Sequence, residues 1–439
     1  MSKSDPKKFV IPSQPLQGIP PEQKALLQLV SDAAAARSLP VYIVGGFVRD
    51  LFLARPTSDL DLVVVGDAIP FARSLAAQFG GKVTVHARFG TAQWFLPEAL
   101  LKQGPVPVSS TPVPVVLDLI SARSETYPHA AVLPTVRRAS LDEDLRRRDF
   151  TINTLALRLD GDHFGEVRDN LNALQDLHTG VVRVLHPASF TDDPTRIFRA
   201  VRYEQRYGFH LARETLNLIP AARPLIDNLS PKRLHHELDL ILEEENAASM
   251  IKRLADLKIL RVVHPALKWK PSARSRFSRG WDTAGTLASA PSRSALGWAL
   301  WLMDVSKSDL AGIDKRLHFE AELRGMVQAA SALLTVVKSF VGKKPGHVVA
   351  LLDGYPLTAI TAVFLSMPSG PQRTILHEYL ETWRHIKPRT TGHTLLKLGL
   401  PAGPVYQSIL WRLREAWING DVKTDAEERE LLKELTKQK

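Results

Sequence analysis

The stretch VYIVGGFVRDLFLARPTSDLDLVVVGDA, residues 41–68, limits what this chain can fold into more than any other part of it. Val41–Val44 is an apolar, mostly β-branched run, Gly45 and Gly46 form a turn, residues 48–51 suit a short helix, and a second strand carries Asp59, Leu60, Asp61 and the apolar run 62–65. Side chains alternate along a strand, so Asp59 and Asp61 are expected on one face, roughly 6.7 Å apart. At an effective dielectric of about 20 two such carboxylates repel by about 2 to 3 kcal/mol. A strand tolerates that pair against a counter-ion, and a divalent metal held through oxygen is the natural one.

Mg²⁺ suits such a site, because it takes one or two carboxylates, keeps waters and completes its shell with substrate phosphates. The Gly-Gly turn supplies the complement. Without side chains its backbone N–H groups can approach a polyphosphate, and the helix start behind it adds favourable partial charge. A metal-bound triphosphate beside two carboxylates describes nucleotidyl transfer.

Three blocks then stand in order: GGFVRD with DLDLVVVGD, RRDFTIN at 147–153, and DDPTRIFRAVRY at 192–203. Together they resemble the bacterial class II tRNA nucleotidyltransferases, the CCA-adding enzymes with their CC-adding, A-adding and poly(A) polymerase relatives. Weaker similarity continues to Gly403 and beyond. The resemblance implies an α+β protein with a DNA polymerase beta-like nucleotidyltransferase head, a mixed sheet with helices, followed by an all-helical neck, body and tail. It implies template-independent addition of CMP and/or AMP, from CTP and ATP, to the 3′ end of tRNA with two Mg²⁺ ions. Within the same chemistry stand an A-adding or CC-adding specialist and a poly(A) polymerase. A noncatalytic RNA-binding protein on this fold would need a damaged metal pair, and Asp59 and Asp61 are both present. A small-molecule nucleotidyltransferase would not require a long basic helical tail.

On this resemblance Asp59 and Asp61 hold metal, and Asp118, an acid inside the apolar strand 113–120, matches a third catalytic carboxylate. The alternative for Asp118 is a structural pair with an arginine such as Arg123. Gly45, Gly46 and Arg49 would cradle phosphates. Arg147, Arg148 and Asp149 match the RRD motif that holds the nucleotide sugar and phosphates, with Asn153 closing the block. A plain solvated basic turn is the bland alternative. Asp193 and Arg196 lie three apart on a helix and share a face. Their acceptor oxygens and donor fork can imitate a pairing base for cytosine or adenine, and a mismatched uracil or guanine would cost roughly 1 to 3 kcal/mol per unpaired group. The resemblance says the same, with Asp192 in place of the family's usual glutamate, while one of the two aspartates can serve as an N-cap. Arg199 and Arg202 continue that helix, as a brace for the template or an RNA contact.

The 439 residues exceed one ordinary domain. The expected division is a flexible arm over 1–20, the head over 21–160, a neck with the base template over 161–265, a body over 266–385 and a tRNA-binding tail over 386–439. A formal charge of +11 favours a polyanionic partner. The absence of cysteine excludes disulfides and thiolate metal sites. The start lacks the apolar core of a signal peptide, and apolar runs such as 295–303 are too short to span a bilayer, so a soluble cytoplasmic protein with no membrane contact is expected. Oligomeric state is not legible.

Along the chain, 21–37 and Ala68–Phe79 read as helices, Lys82–His86 and Thr91–Phe95 as strands, and Ser140 with Glu143 as a capping box. Residues 123–138 read as a loop where the family carries a flexible element assisting the terminal AMP step. Residues 161–180 read as loop-rich and lack the family's Asp-Pro-x-Gly-Gly. Asp192, Asp193 and Pro194 are expected in a first helical turn. In the next helix Arg233 and Glu237 read as structural, and His235 and His236 as surface residues. Seven of the eight tryptophans follow residue 265; Trp298 and Trp301, at helical spacing, fit a core better than an RNA-stacking role.

Overall fold

The computed structural model describes residues 18–56, 60–98, 100, 116–126, 134–281 and 290–437. The chain forms two compact units, one ending at Arg233 and the other beginning at Leu234. The first is α+β, the second all-helical.

The first unit is built on a seven-stranded mixed sheet. Its strands are β1 (Val41–Val44), β2 (Asp61–Val64), β3 (Lys82–His86), β4 (Thr91–Phe95), β5 (Val116–Ser121), β8 (Ala156–Arg158) and β9 (Val167–Arg168), in the order β3-β4-β5-β2-β1-β8-β9. Within this sheet, among the described residues, only β2 and β5 pair in parallel. β1 is buried along its whole length, as its apolar sequence requires. Alternation sends Leu62, Val64, Leu117, Leu119 and Ser121 to one face, where the Ser121 hydroxyl accepts the Ala68 N–H at the start of helix Ala68–Phe79. The other face carries Tyr42, Val44, Val63 and Ala156, which pack with Leu145 of helix Leu141–Arg146. Asp61 and Asp118 belong to this second face. Helix Leu141–Arg146 opens with the full Ser140–Glu143 capping box, so its start is locally determined.

Three local expectations change. The flanks of the segment 123–138 are β6 (Arg123–Thr126) and β7 (Thr135–Arg138), an antiparallel ribbon; residues 127–133 lie outside the described set. Residues 161–180 are more regular than a loop, with β9 and a helix Ala173–Thr179 whose first N–H groups, from Ala173 and Leu174, are taken by the Asp169 carboxylate. Asp192 ends a short helix Ser189–Asp192, Asp193 is extended, and Pro194 precedes a new helix Thr195–Tyr207. Proline has no N–H to give a preceding turn, so the break falls just before it.

In the second unit Trp298 and Trp301, both on helix Arg293–Leu302, are buried with rings 5.5 Å apart and 8° from parallel. Their N–H groups reach Asp239 and the Lys268 carbonyl, so neither indole is free to stack on a nucleobase. His235 is not a surface residue: it packs edge-on against Trp298 and Phe319. His236 is exposed, as expected. Toward the C-terminus, Leu395, Ile409, Leu413 and Leu432 form a small separate core. Among the described residues no single helix is long and apolar enough to cross a membrane.

Candidate active site

Asp61 on β2 is the register partner of Asp118 on β5. Both carboxylates therefore leave the same face of the sheet, one strand spacing of about 4.8 Å apart. Asp59, the other half of the expected pair, lies outside the described residues. On the far side of β5, Gln93 donates its amide to Asp118 Oδ1 at 3.0 Å. Arg123, the alternative partner for Asp118, instead donates to the Phe89 carbonyl and to Glu125. Among the described residues no cluster of three or more His, Asp or Glu side chains forms a metal cage. The Asp61–Asp118 pair supplies hard oxygen donors on one face with a neutral amide beside them, and that donor set fits Mg²⁺ better than a soft or imidazole-seeking ion.

Gly45 links β1 to helix Gly46–Phe52 at φ 74°, a conformation that a side chain disfavours. There is a second reason for glycine there. A Cβ on Gly45 would lie 2.8 Å from Arg148 Nη1. Arg148 also donates from Nη2 to Asp144 Oδ2 at 3.0 Å, while its buried Nε has no partner in the protein. A guanidinium over a bare backbone turn, with a donor in hand, is an arrangement for an anionic oxygen.

Arg49 departs from the phosphate-cradling expectation. It is only 3% exposed and reaches Asp50 through Nε and Nη2 and Asn153 Oδ1 through Nη1, at 2.6 to 2.9 Å. Its guanidinium also lies 5.0 and 4.9 Å from the rings of Tyr203 and Tyr207. Burial pulls its pKa down, but the Asp50 bonds and the two tyrosines carry it above the usual arginine value. Asn153 passes the connection on, donating to Asp149 Oδ1 at 2.8 Å, and Arg199 donates to Asp149 Oδ2. Tyr207 closes the circuit with a 2.9 Å bond to Asp50. Burial disfavours the Asp149 charge, yet Arg199 and the Asn153 amide hold its pKa at about 2. Asp149, Asn153 and Arg199, expected at the nucleotide, thus join Arg49 in a buried network that ties helix Gly46–Phe52 to helix Thr195–Tyr207. Arg147 is similarly tied, to Asp144 and Glu125, and so fixes ribbon strand β6.

Asp193 and Arg196 are brought close to the same network. Arg196 is buried, with Nη1 on Ser189 Oγ at 2.7 Å and Nη2 on the Arg147 carbonyl at 2.9 Å, which fixes its plane and leaves further N–H donors. Asp193 Oδ1 accepts the Thr195 N–H and hydroxyl, so it caps the helix, and also accepts Arg233 Nη2 at 2.7 Å. Oδ2 remains the oxygen suited to reading a base. Asp192 stands apart, 3.9 Å from His186.

Sequence reasoning missed Arg233, Gln93, Tyr203 and Tyr207. The spacing Arg199, Tyr203, Tyr207, each four apart on one helix face, was a usable signal for an arginine-binding aromatic stripe. Nothing local marks Arg233 or Gln93, whose partners lie 40 and 25 residues away.

Residues 41–183 match the family described as the poly(A) polymerase head domain, and residues 208–270 the one described as the probable RNA and SrmB-binding site of polymerase A. The chain is 34% identical over 432 residues to the A-adding tRNA nucleotidyltransferase of Geobacter sulfurreducens, covering 93% of this chain and 47% of that protein. It thus spans about half the length of that relative. It is 30% identical to the A-adding tRNA nucleotidyltransferase of Halalkalibacterium halodurans, over 88% of this chain and 86% of the relative. It is also 30% identical to the CC-adding tRNA nucleotidyltransferase of Deinococcus radiodurans, over 82% and 94%. Among solved structures, a CCA-adding enzyme in its apo form II superposes with a TM-score of 0.80 at 27% identity over 97% of both chains. A Thermotoga maritima CCA-adding enzyme complexed with tRNA superposes with a TM-score of 0.75, also at 27% identity, over 99% and 98%. The order of the motifs, the sheet that carries Asp61 and Asp118, and these likenesses place the chain in the tRNA nucleotidyltransferase/poly(A) polymerase family.

Proposed function

We propose that the chain adds nucleotides from ATP and CTP to the 3′ end of tRNA, and that the terminal AMP is among its products. The observation that carries this reading is the pairing of Asp61 with Asp118 on one face of the sheet. Asp61, with Asp118 beside it, and Asp59 would hold two Mg²⁺ ions. Bound there, the ions would lower the pKa of the attacking 3′-hydroxyl and neutralise the triphosphate. The residues of the chain do the positioning. The Gly46 backbone N–H and the Arg148 guanidinium receive the phosphates, while the Gly45 N–H, expected there too, donates to the Leu155 carbonyl and leaves Gly45 only the side-chain-free approach. Asp193 Oδ2 and the remaining Arg196 donors meet the base edge, with Arg233, Thr195 and Ser189 fixing their angles. Asp149 and Arg147 act by holding these groups in place. In this reading residues 21–160 are the catalytic head, 161–265 the neck, 266–385 the body and 386–439 the tail that holds tRNA.

The A-adding names of two relatives and the β6–β7 ribbon, standing where the family's AMP-assisting element is expected, favour AMP addition. The test offers purified protein each NTP separately, and CTP with ATP together, with three acceptors: a tRNA transcript lacking the CCA end, one lacking only the terminal A, and a non-tRNA oligonucleotide. Addition of CMP and AMP to the first indicates complete CCA synthesis. AMP addition to the second alone indicates an A-adding enzyme. Unlimited AMP on the oligonucleotide indicates a polymerase, and no incorporation on any acceptor overturns the proposal.

A further inference from the structure

Four polar side chains stand in one register row across the sheet: Thr84 on β3, Gln93 on β4, Asp118 on β5 and Asp61 on β2. On that face of β4 Gln93 is flanked by Thr91 and Phe95, so it is the one amide its strand presents there. Directly paired residues on neighbouring strands bring their side chains within reach of each other. Gln93, half-buried, uses that closeness, and its Nε2 donates to Asp118 Oδ1 at 3.0 Å. A carboxylate on the short aspartate stem otherwise swings through a broad, two-fold torsion, and the amide removes that freedom. Because β4 and β2 flank β5 on opposite sides, Gln93 takes one oxygen from the side away from Asp61 and leaves Oδ2 on offer. An arginine here would hold the carboxylate as firmly but also neutralise it, as Arg147 and Arg148 do for Asp144. A neutral amide orients the group and keeps its charge.

Mg²⁺ demands a near-octahedral shell at short distances, which suits one oxygen from each carboxylate. Ca²⁺ accepts a larger, looser shell in which a carboxylate can bind through both oxygens. With Oδ1 turned toward β4 by Gln93, Asp118 is suited to the first mode and not to the second. We propose that Gln93 is a positioning residue that fixes Asp118 as a single-oxygen ligand and so biases the site toward Mg²⁺ over Ca²⁺. The inference rests on the proposed metal-dependent transfer and names a determinant of ion choice that lies outside the three sequence blocks.

The test reads ion binding directly. Mn²⁺ bound to the full-length protein with a non-hydrolysable ATP analogue is followed by paramagnetic resonance and displaced by Mg²⁺ or by Ca²⁺. Gln93→Leu, which keeps the bulk and loses the donor, should lower the Mg²⁺ affinity by about tenfold, the scale on which hydrogen-bond partners of metal ligands act, and leave the Ca²⁺ affinity nearly unchanged. Gln93→Asn, whose amide is one methylene short, should behave like Gln93→Leu. Gln93→Lys should weaken both ions alike, since an added cation repels either. With a tRNA transcript lacking its terminal A, the loss of AMP incorporation in Gln93→Leu should be largest at limiting Mg²⁺ and shrink as Mg²⁺ is raised, at unchanged melting temperature. Wild-type Mg²⁺ affinity in Gln93→Leu, where the unaltered protein incorporates nucleotide, overturns the positioning role and leaves the proposed function standing. Equal loss of Mg²⁺ and Ca²⁺ affinity in Gln93→Leu makes Gln93 a packing residue and likewise overturns it. Wild-type protein without incorporation on any acceptor removes both proposals together.

Discussion

Two sets of aspartates in the first unit make opposite use of the same side chain. Asp61 and Asp118 stand on neighbouring strands of one sheet face, where Asp118 has a neutral amide for company. Asp144 and Asp149 are buried and held by arginines: Asp144 by Arg147 and Arg148, Asp149 by Arg199. The first set stands on the sheet face where the proposed cation would be held. The second neutralises charge internally and converts it into rigidity. Charge density alone does not mark a reactive centre; the identity of the neighbours does.

The sharpest way to break this contrast is to remove charge on the open side. Asp61→Asn should reduce nucleotide incorporation by about a thousandfold, the several kcal/mol that a missing metal ligand costs, and Asp118→Asn by roughly a hundredfold. Both should leave melting temperature and tRNA affinity nearly unchanged. Retained incorporation by Asp61→Asn would place the chemistry elsewhere. On the closed side the order reverses. Arg49→Met should destabilise the first unit by about 3 to 5 kcal/mol, because it leaves Asp50 and Asn153 without their buried partner, measured by chemical denaturation. A rise in the KM for ATP at wild-type stability would instead return Arg49 to the phosphates.

The smallest effect is on pH. The Asp149 carboxyl titrates at about 2 in the folded chain against 3.8 for the free group. A depressed folded pKa contributes stability that is complete above the unfolded value and is lost as pH falls through it toward the folded one. The stability difference between about pH 7 and pH 3, read from urea midpoints, should therefore shrink in Asp149→Asn. An unchanged difference would mean that Arg199 does not hold the charge.

Much of the frame was legible because its causes are local. The apolar run before Gly45, the Ser140–Glu143 cap and the alternation in β3 and β4 each sit within a few residues of their effect. An acid inside an apolar strand singled out Asp118, and only register could set it beside Asp61. The internal bonds of Arg49 and Asp149 were not legible, because their partners lie 104 and 50 residues away. A motif identifies such residues without saying whether they touch a ligand or each other. His235 failed in the same way, since its packing depends on Trp298 and Phe319.

The uneven placement of indoles has a practical consequence. Trp94 is the one tryptophan before residue 234, and the remaining seven belong to the second unit. Intrinsic emission followed during unfolding will therefore report chiefly on the helical part, and a single smooth curve will not establish that the seven-stranded sheet melts with it. Replacing Trp94 with phenylalanine should barely alter such a trace, whereas far-ultraviolet dichroism recorded alongside it would reveal whether the two halves come apart in one step or two.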